Sequence, residues 1–187
     1  MTLNELMDTI PAYARDLKLN FSSLLQQPAL TEQQTWGTVV ASAMASRNDE
    51  FTPAALAEAA KHLTPQELEA AKGAAAIMGM NNVYYRFLHL SSNENYRTMR
   101  AGLRMNIIRN HGVDPLDFEL WCTAVSAIKG CGACVDSHEK VLREKAVGEE
   151  TILASIRLAS VIHALATVFD AERVAATQPV VSVETAV

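Results

Sequence analysis

An all-α fold without a sheet is predicted by three features of this sequence. Apolar residues recur at helical spacing, helix-start signals recur along the chain, and strand-like alternation is nearly absent. The only strand-like run, Val125-Ser126-Ala127-Ile128, has no companion to pair with.

Leu3, Leu6, Ile10, Tyr13 and Leu17 fall on one helical stripe, so the chain opens with an amphipathic helix that Pro11 kinks. Thr31-Glu32-Gln33-Gln34 has the form of a capping box and starts a helix towards Ser46. After a break at Asn48-Asp49-Glu50, Thr52-Pro53 offers an N-cap followed by proline at the first helical position. Thr64-Pro65-Gln66-Glu67 repeats this grammar with a full capping box and launches a long helix to about Phe87. That helix is rich in alanine and glycine, which lets neighbours approach closely. Asn81, Asn82 and Tyr84 interrupt it with polar groups that need partners.

Residues 91–100, SSNENYRTMR, are the most polar segment and read as a loop. A short apolar helix follows at Leu103 to Ile108, broken at Asn110-His111-Gly112. Asp114-Pro115 opens a helix that carries Glu119, Trp121 and Val125 and stops near Gly130. The next begins about Cys131 and ends near Gly148, and Glu149-Glu150-Thr151 opens the last. The tail, 177–187, is polar and β-branched and is expected to be loosely held. The expectation is a single domain over 1–187, in which the 91–100 loop separates an N-terminal half, 1–90, from a C-terminal half, 101–175, that carries the chemistry.

With 187 residues, 49% of them hydrophobic and 20% charged, the chain is long enough to bury a real core. The formal net charge is -5 and no basic run exists, so no nucleic-acid partner is expected. The acidic start is followed by no signal-peptide core, and the longest apolar stretches, Gly73 to Met80 and Ala159 to Phe169, read as too short or interrupted to span a bilayer. No membrane association and a cytoplasmic location are the expectations.

The three cysteines stand at 122, 131 and 134. In a reducing compartment a CxxC pair is either catalytic or a pair of metal ligands. If a helix begins near Cys131, then Cys134 at i+3 and His138 four residues further share one stripe. Free amide groups at a helix N-terminus favour a thiolate, and an imidazole one turn on can take up the thiol proton. Two thiols at this spacing can also close a disulfide after one is oxidised, which protects a sulfenic acid from further oxidation. Glu119, on the preceding helix, is placed to orient His138. The metal alternative stays open, because Glu119, Cys131, Cys134 and His138 would just supply four zinc ligands. Cys122, between Trp121 and Thr123, reads as a small buried hydrophobe and His163 as a core histidine. His62, His89 and His111, near helix ends, read as surface or capping residues.

The segment from Glu119 to His138, ELWCTAVSAIKGCGACVDSH, resembles the alkyl hydroperoxide reductase D (AhpD) family, within the wider carboxymuconolactone decarboxylase-like group. Leu17-Lys-Leu-Asn-Phe-Ser-Ser23, Trp36-Gly-Thr38, Gly73 to Val83 and Arg104 to Ile108 resemble further blocks of the family, so the likeness runs from about residue 3 to residue 170. The pattern of Glu119, the CxxC and His138 with these blocks is far more specific than CxxC alone. The resemblance implies an AhpD-like helical fold, a homotrimer, and peroxidase and disulfide-reductase activity. It implies Cys134 as the thiol that attacks a peroxide or the disulfide of the peroxiredoxin AhpC. Cys131 would be the resolving thiol and proton donor, and His138 and Glu119 the proton relay. The only redox group implied is the Cys131–Cys134 disulfide, with no separate cofactor, and in some lineages a lipoyl-bearing protein is the dithiol donor. This chain departs from members that carry a further histidine just before the second cysteine, where it has Ala133.

Three functions therefore compete: a thiol peroxidase and disulfide reductase acting on alkyl hydroperoxides, a redox adapter with slow peroxide turnover, and a helical zinc protein using the same four residues. A ring decarboxylase, as in the wider group, ranks last, because it has no evident use for a CxxC.

Overall fold

The computed structural model of the chain describes residues 1–177, so the tail expected to be loose lies, from 178 onward, outside the described residues. Those residues form nine α-helices and two 3-10 turns and contain no strand. The first amphipathic stripe is divided more sharply than a kink: α1 spans Leu3–Asp8, Pro11 ends the helical path, and α2 resumes at Arg15–Leu24. Proline at this point lacks an N–H for the helical ladder and its ring clashes with the preceding turn.

The capping boxes form as expected. Thr31 caps α3 (Glu32–Ser46) through Gln34, and Thr64 caps α5 (Pro65–Leu90) through Glu67, with Pro65 in the first turn. The Thr52-Pro53 start is corrected. The helix α4 begins at Phe51 and runs to Ala59, because Asn48 Oδ1 accepts the amides of Glu50 and Phe51 and does the capping itself. Thr52 instead donates its hydroxyl to the Ala43 carbonyl at the end of α3. The polar loop holds a short helix, α6 (Asn95–Thr98), and the expected helix at 103–108 is only a 3-10 turn over Asn106–Ile108 with no buried residue. Without a face to bury, so short a segment lacks the packing that stabilises helices.

The centre of the molecule is α7 (Pro115–Ile128), which packs against α3, α5, α8 (Gly132–Glu144) and α9 (Glu149–Thr177). Its position explains why nearly every face of it is apolar: Phe118, Leu120, Trp121, Cys122 and Val125 are all buried. Burying each large apolar side chain is worth roughly 1.5–3 kcal/mol. The approach of α3 to α7 depends on Gly37, since a Cβ at that position would fall on the Trp121 indole ring. One hydrophobic cluster runs from Leu3 to Phe169 and draws on both sides of the 91–100 loop.

The last helix differs from the sequence reading of its apolar stretch. α9 is continuous for 29 residues, and an 18-residue window has mean hydropathy 1.8, enough by length and composition to cross a bilayer. In this fold it is a core helix, with 56% of that window buried, packed on α2, α3 and α7.

Candidate functional site

The CxxC lies on the corner between α7 and α8, and local bonding sets that corner. Gly130 takes the left-handed conformation at φ 65°. The amide of Cys131 reaches back to the Ser126 carbonyl at 3.1 Å and that of Gly130 to the Ala127 carbonyl at 3.1 Å. This is a Schellman-type ending, and the left-handed position favours glycine. Two cations support it: Arg86 Nη1 donates to the Lys129 carbonyl, and Lys129 Nζ donates to the Ala45 carbonyl at the end of α3. Burial, then the neighbouring charges of Arg47 and Arg86, hold the Lys129 ammonium below the usual lysine range. Cys131 becomes the N-cap of α8, its carbonyl accepting the amides of Cys134 and Val135.

Cys131 and Cys134 are joined in a disulfide with their Cα atoms 5.3 Å apart. Cys131 is fully buried, whereas Cys134 lines a cavity of about 360 Å³. Its walls combine Asn81, Glu119, Ser137 and His138 with apolar Met105, Ile108 and Val141. The Cys134 sulfur lies 4.0 Å from the backbone oxygen of Asn81 on α5.

The fold brings Glu119 to His138. Glu119 Oε2 and His138 Nδ1 are 2.6 Å apart, and both side chains are largely withdrawn from solvent, at 18% and 14% exposure. All four residues singled out in the sequence therefore meet at one corner. One detail departs from the expected base geometry. His138 Nε2 faces Met78 Sδ at 3.2 Å, so both ring nitrogens are occupied by groups other than the cysteine sulfurs. Met78, wholly buried on α5, has no signal in the sequence, because it sits in an Ala- and Gly-rich run that reads as packing.

Of the expected polar partners on α5, Asn82 donates to the Ser126 hydroxyl at 2.9 Å, and Tyr84 packs edge-on against Tyr85. The side-chain oxygens of Asn81 and Asn82 are buried without a partner among the described residues. Cys122 is buried and free, and burial, with a contribution from the Glu119 charge, raises its thiol well above the usual range. His163 is corrected: it is exposed on α9, with Nδ1 3.2 Å from Ser46 Oγ, because it falls on the outer face of that helix. His62 stacks on Trp36 and reaches Glu32, and His111 stacks on Phe118. Among the described residues no group of three or more His, Cys, Asp or Glu side chains is arranged to hold a metal ion.

A dithiol–disulfide pair at a helix start, backed by a buried carboxylate–imidazole pair on an all-helical scaffold, defines a thiol-redox class of helical protein. Residues 94–177 match the carboxymuconolactone decarboxylase family. The chain is 63% identical over 175 residues to the alkyl hydroperoxide reductase AhpD of Acidobacterium capsulatum, covering 93% of this chain and 96% of that one. It is 64% identical over 173 residues to the protein of the same name from Koribacter versatilis, covering 92% and 89%, and 60% identical over 172 residues to that of Solibacter usitatus, covering 92% and 97%. The chain belongs to the alkyl hydroperoxide reductase AhpD family.

Proposed function

We propose that this chain is an alkyl hydroperoxide reductase, a thiol peroxidase and disulfide reductase that cycles Cys131 and Cys134 between dithiol and disulfide. The observation that carries the reading is the asymmetry of the pair: Cys134 opens on the cavity beside His138 and Glu119, while Cys131 is fully buried behind it. The names of the relatives support the same activity.

In the reduced site the Cys134 thiolate attacks the terminal oxygen of R–O–O–H. The O–O bond breaks, Cys134 becomes a sulfenic acid, and the alkoxide leaves as an alcohol after taking a proton from the His138–Glu119 pair. The Cys131 thiol then attacks the Cys134 sulfur, forming the disulfide and releasing water. For regeneration, one thiolate of a donor dithiol attacks the accessible Cys134 sulfur and Cys131 departs as a thiol. The donor's second thiol displaces Cys134, closing the donor's own disulfide. Attack of Cys134 on the disulfide of the peroxiredoxin AhpC, with Cys131 resolving the mixed disulfide, reduces that partner. No cofactor beyond the cysteine pair enters these steps. A lipoyl-bearing protein suits the donor role, because its dithiol is carried on an arm long enough to enter the cavity.

The assembly is a homotrimer in this reading. Its support is a concentration of exposed apolar side chains along the end of α5 and the following loop, where Phe87, Leu90, Met99 and Leu103 are 51%, 74%, 61% and 39% exposed. Exposed apolar patches of this kind mark interaction surfaces. The location is the cytoplasm, where thiol donors keep such pairs cycling.

The cysteine variants test the assignment. Cys134→Ser abolishes peroxide turnover and mixed-disulfide formation with AhpC. Cys131→Ser reacts once and leaves a sulfenic acid on Cys134 that a dimedone-type probe locates by mass spectrometry. Label on Cys131 in an active Cys134→Ser protein would reverse the roles. Steady-state peroxide consumption with and without AhpC separates a peroxidase from a pure redox adapter.

A further inference from the structure

We infer that Met78 is a positioning residue for His138, keeping a proton on its Nε2 while the Cys131–Cys134 pair is oxidised. A thioether sulfur has lone pairs and no proton to give. At 3.2 Å from Met78 Sδ, the His138 Nε2 is within contact of an acceptor, and only an N–H between them makes that contact attractive. A bare Nε2 would set lone pair against lone pair. At the other end of the ring the Glu119 carboxylate receives Nδ1 at 2.6 Å. The imidazole is thus pinned between two acceptors, one charged and one soft, and the second acceptor decides that Nε2 carries hydrogen.

The sulfur is itself held in place. Met78 is wholly buried, its sulfur lies 3.7 Å from the Ser126 hydroxyl, and that hydroxyl accepts from Asn82 Nδ2 at 2.9 Å. Asn82 stands one turn beyond Met78 on α5, and Ser126 stands on α7, so two helices fix the acceptor. The direction is the useful one. Nε2 and the Cys134 sulfur both face α5, at Met78 and at Asn81, three residues apart. The proton therefore rests on the α5 side of the ring, the helix that the Cys134 sulfur also faces, and a proton is what the departing Cys131 sulfur takes up as the disulfide opens. This assignment rests on the proposed dithiol cycle for its consequence, while the protonation pattern stands independently of it.

The test uses the full chain in its disulfide form. Long-range 1H–15N correlation of the imidazoles reads which nitrogen carries hydrogen. Nε2 of His138 is expected in the protonated pattern in the parent protein, lost in Met78→Leu and restored in Met78→Gln, whose side-chain carbonyl accepts in place of sulfur. Met78→Leu nearly conserves volume, and a thermal melt confirms that it folds. Reduction of the Cys131–Cys134 disulfide by dithiothreitol is expected to slow about tenfold in Met78→Leu and to recover to within about threefold in Met78→Gln, a partial loss of the roughly 100- to 10,000-fold that a positioned general acid contributes. That reaction uses neither hydroperoxide nor AhpC, so it reads the positioning role even where the peroxidase reading fails. An unprotonated Nε2 in the parent protein overturns the inference. So does a Leu variant with parental spectrum and rate, or a Gln variant that restores neither, because packing alone would then account for Met78.

Discussion

Glu119 and His138 stand 19 residues apart in sequence, on two different helices, and their side chains meet at 2.6 Å in a largely water-excluded corner beside Cys134. A charge-assisted contact in such a place is stronger than its surface counterpart and fixes the ring that it touches.

Removing the charge while keeping the shape isolates that contribution. Glu119→Gln is expected to lower peroxide turnover by about 10- to 100-fold, by analogy with the carboxylate that orients a metal-bound histidine. The disulfide should still form on oxidation and the melting temperature should change little. Turnover equal to the parent's would remove Glu119 from the relay.

The exposed apolar patch at the end of α5 makes a prediction about assembly. Replacing Phe87 and Leu90 by glutamate places charge on a surface that is 51% and 74% exposed at those positions, so the isolated fold loses little beyond the Phe87–Tyr96 ring contact. Multi-angle light scattering is expected to show a trimer for the parent and a monomer for the double variant, with matching helical circular dichroism. A parent that runs as a monomer at micromolar concentration would end the trimer proposal.

Asp117, in the first turn of α7, gives a pH dependence. Burial raises its carboxyl above the ordinary aspartate range, opposed by the hydrogen bond from Gln34 Nε2 at 2.8 Å and reinforced by the charges of Asp114 and Glu67. A folded-state value above the unfolded one means that the group favours folding while it is protonated. Its contribution is complete below the unfolded value and is lost as pH rises through the raised folded value. Urea unfolding from mildly acidic to neutral pH should therefore show Asp117→Asn gaining stability relative to the parent as pH rises. The two should converge at low pH. A constant difference across the range would refute this.

Gly37 offers a test of packing alone. In Gly37→Ala the new methyl meets the ring of Trp121, a wholly buried side chain at the centre of the fold. Overpacking of this kind costs about 1–3 kcal/mol, and denaturant unfolding should show the loss. An unchanged midpoint would mean that α3 can move away from α7 at little cost.

Much of this protein was determined by local sequence. Capping boxes at Thr31 and Thr64, Asp114 before Pro115 and glycine at 130 set helix boundaries, because caps, proline and left-handed glycine act over only a few residues. The spacing of Cys131, Cys134 and His138 lies within α8 and its cap for the same reason. Tertiary structure decided the rest. Asn48 displaced Thr52 as the cap of α4, and the 103–108 segment remained a 3-10 turn for want of a buried face. Which sulfur faces the cavity, and that His138 turns Nε2 to Met78, depend on how α5, α7 and α8 pack. Side chains 60 residues apart leave no periodic trace in the sequence, since their meeting is fixed by the shape of the whole core and by no local rule.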